Sequence, residues 1–212
     1  TELDSGSQLL TVGEHDLAEQ LRNGLLGDRI SIVDTTEKPI HLQPSSKIYS
    51  WQTDLNVEIT DLYVNKGDVL VGIVNGKVSL RDCGSGDERW STHLDGSEIP
   101  TVVMLSNLIH NEEGHAAIVG TSDSHLVVID GNTGSQRWSR ELKNMWSRGA
   151  RVTGLAVSDL EGEGDYSILA ATEGWYVNAF SQNGDTKWAE WFRYHAITDL
   201  IVADADGDGK SE

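Results

Sequence analysis

A single cysteine, Cys83, stands in 212 residues. It leaves no partner for an intrachain disulfide and no thiolate cage for a metal. Basic residues are scarce too: 16 Lys and Arg face 34 Asp and Glu, for a formal net charge of −18. That balance argues against nucleic acid as a partner, because neutralising phosphates takes clustered cations. It disfavours an anionic membrane surface for the same reason. No apolar run approaches the roughly 20 residues of a membrane span. The chain opens at Thr1 with neither an initiator Met nor a signal peptide, which reads as a processed chain or an excised piece. The acidity points to an extracellular, periplasmic or cell-surface setting, with the cytoplasm as the alternative.

Glycine and tryptophan are what the sequence has in quantity, 22 and seven residues against a hydrophobic share of 38%. That pairing suits many short strands joined by tight turns. The tryptophans are periodic. Three segments end alike: LVGIVNGKVSLRDCGSGDERW (70–90), IVGTSDSHLVVIDGNTGSQRW (118–138) and ILAATEGWYVNAFSQNGDTKW (168–188). They align without a gap, and their terminal tryptophans stand 138 − 90 = 48 and 188 − 138 = 50 positions apart. Each opens on an apolar pair that reads as a buried strand. A turn follows at Asn75-Gly76, Asp123-Ser124 or Glu173-Gly174, and Asn-Gly is a strong hairpin signal. A second strand, a glycine turn (Gly86, Gly134, Gly184) and the tryptophan strand complete an antiparallel meander.

An upstream strand adds a fourth element. VTGLAV (152–157) matches ITDLIV (197–202) at a spacing of 45, ITDLYV (59–64) has the same form, and residues 99–105 are a looser copy. Four strands in each unit of roughly fifty residues is the signature of β-propeller blades. A sandwich with chance periodicity and a solenoid are the rivals; solenoid repeats are shorter and rarely need four strands. The expected fold is all-β, about four four-stranded antiparallel blades, partial or part of a larger propeller. The boundaries fall at 1–50 (a degenerate blade), 51–98, 99–150 and 151–196, with an opening strand and acidic loop at 197–212. Within the first segment, Asp16 and Glu19 have capping-box spacing and Leu17, Leu21 and Leu25 recur every four residues, which suits a short helix. Blade register makes part of the same segment strand, so both readings stand.

With those residues laid out, VIDGNTGSQRW (128–138) resembles the tryptophan-docking motif of the pyrroloquinoline-quinone-like (PQQ-like) propeller repeat, and LRDCGSGDERW (80–90) is a second copy. The resemblance implies that Trp90, Trp138 and Trp188 dock across blade-to-blade contacts. The third copy departs from the pattern, with Phe180 in the column of Asp82 and Asp130. A further resemblance, to FG-GAP-type propellers, rests on DADGDGKSE (204–212), a calcium-type loop. Together the two cover about residues 51–212. Neither names a substrate, since PQQ-like repeats occur in dehydrogenases and in non-enzymatic scaffolds alike.

The acidic loop also argues from its own chemistry. A hard cation takes six to eight oxygen ligands, and one short loop can converge them. Asp204, Asp206 and Asp208 stand at alternate positions, Gly209 allows a sharp turn, Lys210 offers its carbonyl and Glu212 closes the shell. Calcium is the expected cofactor; a solvated acidic turn is the plain alternative. The copy 45 residues earlier offers Asp159, Glu161, Glu163 and Asp165. Its longer Glu side chains fit a tight loop less well, so it is either a weaker site or a vestige.

Little else suggests chemistry. His110 and His115 share one loop, without the further ligands zinc requires. No nucleophile elbow, phosphate loop, H-E-x-x-H or Cys-His pattern occurs, and no carboxylate pair is singled out for glycoside hydrolysis. The aromatic set Trp175, Tyr176, Trp188, Trp191, Phe192 and Tyr194 reads as interblade core or as a sugar-stacking platform. The expectation is a non-catalytic, calcium-stabilised scaffold for a protein or carbohydrate ligand. The alternatives are the propeller part of a polysaccharide lyase and, behind it, of a quinone-dependent dehydrogenase.

Overall fold

Among the described residues the chain forms fourteen short β-strands. The computed structural model describes residues 9–11, 31–33, 55–65, 67–95, 98–106, 115–146, 149–207 and 210–211, with the backbone alone for the first two stretches. The chain divides into two units, Thr1–Ser50 and Trp51–Glu212.

In the first unit, β1 (Leu9–Thr11) and β2 (Ser31–Val33) pair in parallel, with Leu9 opposite Ser31 and Thr11 opposite Val33. Residues 16–25, where helix and strand readings competed, lie outside the described residues.

Among the described residues, the second unit holds three four-stranded sheets, each an antiparallel meander in chain order. The first is β3 (Ile59–Asn65), β4 (Asp68–Ile73), β5 (Lys77–Asp82) and β6 (Glu88–His93). The second is β7 (Pro100–Ser106), β8 (Ala116–Thr121), β9 (His125–Asp130) and β10 (Gln136–Glu141). The third is β11 (Val152–Ser158), β12 (Ser167–Thr172), β13 (Tyr176–Phe180) and β14 (Thr186–Trp191). All three second strands are buried along their whole length. Such continuous burial is what a sheet covered on both faces requires.

Successive sheets stack face to face. One core joins Leu70, Leu80 and Trp90 of the first sheet to Val103, Leu105 and Ile129 of the second. Another joins Ile118, Leu126 and Val128 of the second to Ile168, Ala170 and Phe180 of the third. The first strands β3, β7 and β11 touch in succession, which places them on the inner side of the array. Each carries a bulge at the same threonine, Thr60, Thr101 and Thr153. A bulge re-aims a side chain, and the last two use it to reach forward. Thr101 Oγ1 donates to the Val152 carbonyl at 2.7 Å, and Thr153 Oγ1 donates to the Ile197 carbonyl at 2.7 Å.

Residues 197–202, expected as an opening strand, therefore occupy the first-strand position of a next sheet, and Ile197, Leu200 and Val202 pack on the core of the third. They carry no ladder of their own.

The ladders correct the ungapped alignment in one place. Asp82 N–H bonds the Asp87 carbonyl and Asp130 N–H bonds the Ser135 carbonyl, each closing a turn across five positions. In the third sheet the equivalent bond runs from Ser181 N–H to the Asp185 carbonyl, across four. Ser181, not Phe180, thus takes the aspartate's place. Phe180 is instead the counterpart of Ile129 and lies in the core, 2% exposed. One residue gained before β12 is lost again in this turn, so the tryptophans keep their spacing.

Candidate functional site

Each sheet-to-sheet seam is built by one tryptophan and one glycine turn. Trp90, on β6, donates from Nε1 to the Gly131 carbonyl at 2.7 Å, and Thr92 Oγ1 donates to the Gly134 carbonyl. Gly134 has φ +74°, and a Cβ there would lie 2.9 Å from Trp90 Cδ2. Only glycine tolerates both the left-handed backbone and the indole pressed onto it. The second seam repeats this. Trp138 Nε1 donates to the Gln182 carbonyl at 2.9 Å, Arg140 Nε to the Gly184 carbonyl at 2.8 Å, and a Cβ on Gly184 would meet Trp138 at 2.8 Å. Trp90 and Trp138 therefore dock as the motif implies. Trp188 does not: it is 37% exposed, and among the described residues no sheet lies against it.

The glycine turns are themselves held by charge. Asp82 Oδ1 accepts the N–H groups of Gly84 and Ser85 while Oδ2 meets Arg89 at 2.6 Å. Asp130 repeats the arrangement with Asn132, Thr133 and Arg137. The arginine, helped by the backbone donors, holds each carboxyl down at about 2. Arg89 also reaches Asp68, which in turn meets His115 Nε2 of the next sheet at 3.1 Å. His115 thus belongs to a seam. His110 lies outside the described residues.

The acidic loops lie at the same end of the sheets as these turns. Between β11 and β12, Asp159 Oδ1 accepts from Gly162 and Glu163, and Oδ2 accepts from Gly164 at 2.6 Å. Those donors, Gly164 first, pull its carboxyl below the ordinary range. Asp165 is drawn aside to Lys187 Nζ at 2.7 Å, and Glu161 and Glu163 are exposed. The later loop begins in the same way, with Asp204 Oδ1 accepting from Gly207 N–H at 2.6 Å, and Gly162 and Gly207 share a left-handed φ. Asp206 and Lys210 are exposed beside it, while Asp208, Gly209 and Glu212 lie outside the described residues. A Cβ on Gly162 would sit 3.9 Å from Lys210 Cγ, so the two loops are neighbours. As donor sets, the later loop suits calcium, with carboxylates at alternate positions and an Asp already oriented by the backbone. The earlier one is compromised by the lysine on Asp165.

The aromatic set divides. Phe192 N–H bonds the Trp175 carbonyl just as Leu94 N–H bonds Gly76 and Leu142 N–H bonds Ser124. Leu94 and Leu142 are buried seam residues, whereas Phe192 is 54% exposed, like Trp188 on the same uncovered side. The sequence reading missed this apolar column; an apolar residue four positions after each tryptophan was its signal. Trp175 packs on Tyr194 with ring centroids 6.1 Å apart, and Arg193 lies 4.8 Å over the Trp191 ring. Both Trp175 and Tyr194 hold φ above +70°, uncommon for bulky residues.

Among the described residues no helix is long and apolar enough to cross a membrane. No curated protein matches the sequence. Among solved structures, BamB from Moraxella catarrhalis superposes with a TM-score of 0.54 at 18% identity, covering 67% of this chain and 40% of that one. The computationally designed Ika4 protein gives 0.58 at 16%, covering 79% and 97%. BBS1N, solved in complex with ARL6DN, gives 0.52 at 15%, covering 74% and 45%. This chain thus spans under half the length of the BamB and BBS1N chains. At these identities the likeness establishes a propeller fold. The model of the family described as outer membrane protein assembly factor BamB matches residues 2–206. With its PQQ-like seams and nearly its whole length matched, the chain belongs to that family.

Proposed function

We propose that this chain is a stretch of a non-catalytic propeller scaffold that presents a rigid, acidic surface to polypeptide partners in an extracytoplasmic assembly, with calcium bracing its loops. The observation that carries the reading is the match of residues 2–206 to a family described as an outer membrane assembly factor. Two physical features support it. The docked seams fix the relative positions of successive sheets, so a partner meets a preorganised surface and less ordering entropy is lost on binding. The net charge of −18 favours a partner face rich in Lys and Arg and makes association salt-dependent. BBS1N, of the same fold, was solved with a protein bound.

The test presents the immobilised chain to detergent-solubilised outer-membrane proteins and, in parallel, to a glycan array. Saturable, salt-sensitive capture of a polypeptide is the expected result. Glycan binding without a polypeptide would replace this reading with the carbohydrate one, which the exposed Trp191 and Tyr194 favour. The lyase alternative predicts unsaturated product from an anionic polysaccharide, read by absorbance.

Calcium would be held by Asp204, Asp206, Asp208, the Lys210 carbonyl and Glu212, and more weakly by Asp159, Glu161, Glu163 and Asp165. Bound there, it would cancel the mutual repulsion of the carboxylates. Millimolar calcium is expected to raise the melting temperature, and Asp206→Ala to remove most of the rise. A melting curve indifferent to both overturns the calcium part alone.

A further inference from the structure

A second group of metal-type ligands lies at the other end of the sheets, where no motif pointed. Glu98 lies near the end of the connector that leads from β6 into β7; Asp123 lies in the turn between β8 and β9, and His125 opens β9. His125 Nδ1 is 3.3 Å from Glu98 Oε1 and 3.4 Å from Asp123 Oδ1. One ligand atom from each residue lies within 4.8 Å of the other two. The ring nitrogen is buried and has no hydrogen-bond partner, so neither carboxylate meets it as an acceptor would meet an N–H. Zinc bonded tetrahedrally to nitrogen and oxygen at about 2.0–2.1 Å sets its ligand atoms roughly 3.3–3.4 Å apart. The two spacings around Nδ1 have that size.

The surroundings hold the three side chains in place. Thr121 Oγ1 donates to Asp123 Oδ1 at 2.7 Å and accepts the His125 N–H at 2.9 Å, fixing both members of the turn with one hydroxyl. Such an outer-shell bond to a ligating carboxylate is a recurrent feature of metal sites. Ser122 N–H bonds the Ile99 carbonyl at 2.9 Å and so pins the connector beside the turn. The Glu98 carbonyl packs so close to Gly76 that a Cβ there would come within 2.9 Å. The Glu98 side chain is 12% exposed and that of Asp123 is 43% exposed. The site is closed on the Glu98 side and open to solvent on the Asp123 side.

We propose that Glu98, Asp123 and His125 form a binding site for a divalent transition metal of the zinc class, with a fourth position open to water or a partner's side chain. An imidazole nitrogen beside two carboxylates suits zinc, cobalt or manganese, whereas calcium and magnesium prefer oxygen alone. A bound ion ties the connector to the sheet it enters.

The probe is cobalt(II), added to the metal-stripped full chain with millimolar calcium present to occupy oxygen-only sites. The expected result is visible d–d absorption that saturates at one equivalent and is displaced by zinc. Glu98→Gln keeps the side chain's shape and should weaken cobalt binding about tenfold or more, the scale of losses seen even at outer-shell positions. His125→Ala should abolish the band. Glu190→Gln, an exposed acid on β14, should leave it unchanged. Near-UV circular dichroism of each variant shows that the tryptophan seams persist. The proposal is overturned if the native chain gives no band, or if the band survives in folded Glu98→Gln and His125→Ala chains with unaltered affinity.

Discussion

Trp90 and Trp188 occupy the same position in their sheets and live in different surroundings. Trp90 is 8% exposed, its indole N–H spent on Gly131 and its ring face on Gly134. Trp188 is 37% exposed, and Phe192 beside it is far more open than its counterparts Leu94 and Leu142. The difference shows that the repeat is not a self-sufficient unit. A sheet supplies the tryptophan and the next sheet supplies the glycine turn, so the stabilising object is the seam. Stability in such an array resides in nearest-neighbour contacts.

The comparison is broken most directly by removing the docked indole. Trp90→Ala is expected to cost about 3–5 kcal/mol, the range for a buried aromatic truncated in a core, measured by urea unfolding. Trp138→Ala should fall at or below the lower end, since that ring is only half-buried. From the opposite side of the seam, Gly134→Ala must place a methyl against Trp90 while holding φ at +74°. A loss of about 1–3 kcal/mol follows from the strain. Gly207→Ala, at φ +82° with nothing within 4 Å, carries the backbone penalty alone, about 1–2 kcal/mol. A Gly134 variant no worse than the Gly207 one would show that the ring does not bear on the turn.

Acid sharpens the contrast between the turns. Asp82 and Asp130 are held at about 2 in the folded chain, against an ordinary 3.8. The unfolded chain takes up these protons first, so the stability the two groups contribute is present above about pH 4 and fades as pH falls toward 2. Ser181 replaces the aspartate in the third sheet and contributes nothing to that window. Asp130→Asn should therefore flatten the dependence of melting temperature on pH between 4 and 2, and Ser181→Ala should leave it unchanged. The smallest effect is expected at the uncovered tryptophan: Trp188→Ala should change stability by less than about 1 kcal/mol.

Much of this was legible in the sequence because the seam writes itself there twice. An indole must recur at the blade spacing, and a glycine must recur where that indole presses. The same regularity concealed an error. The residue gained before β12 and the one lost in the Ser181 turn cancel at Trp188, so spacing alone placed Phe180 in a column that belongs to Ser181. Hydrophobicity argued for the other assignment, since a phenylalanine in an exposed turn would leave a large apolar side chain uncovered. The Leu94, Leu142 and Phe192 column was readable in the same way and was overlooked. Glu98, Asp123 and His125 were not readable at all. They come from a connector and a turn, and only the stacking of sheets makes them neighbours. The acidic loop at 204–212 was conspicuous because its carboxylates are local, whereas the lysine that claims Asp165 comes from another strand.

The central claim is that equivalent tryptophans are docked in the two internal seams and undocked at the third position. Fluorine NMR of the chain labelled with 5-fluorotryptophan, assigned by Trp→Phe substitution and titrated with a soluble paramagnetic agent, measures this residue by residue. Resonances of Trp90 and Trp138 should resist broadening while that of Trp188 broadens strongly. Equal broadening of all three, or a Trp90 signal as accessible as that of Trp188, would contradict the account.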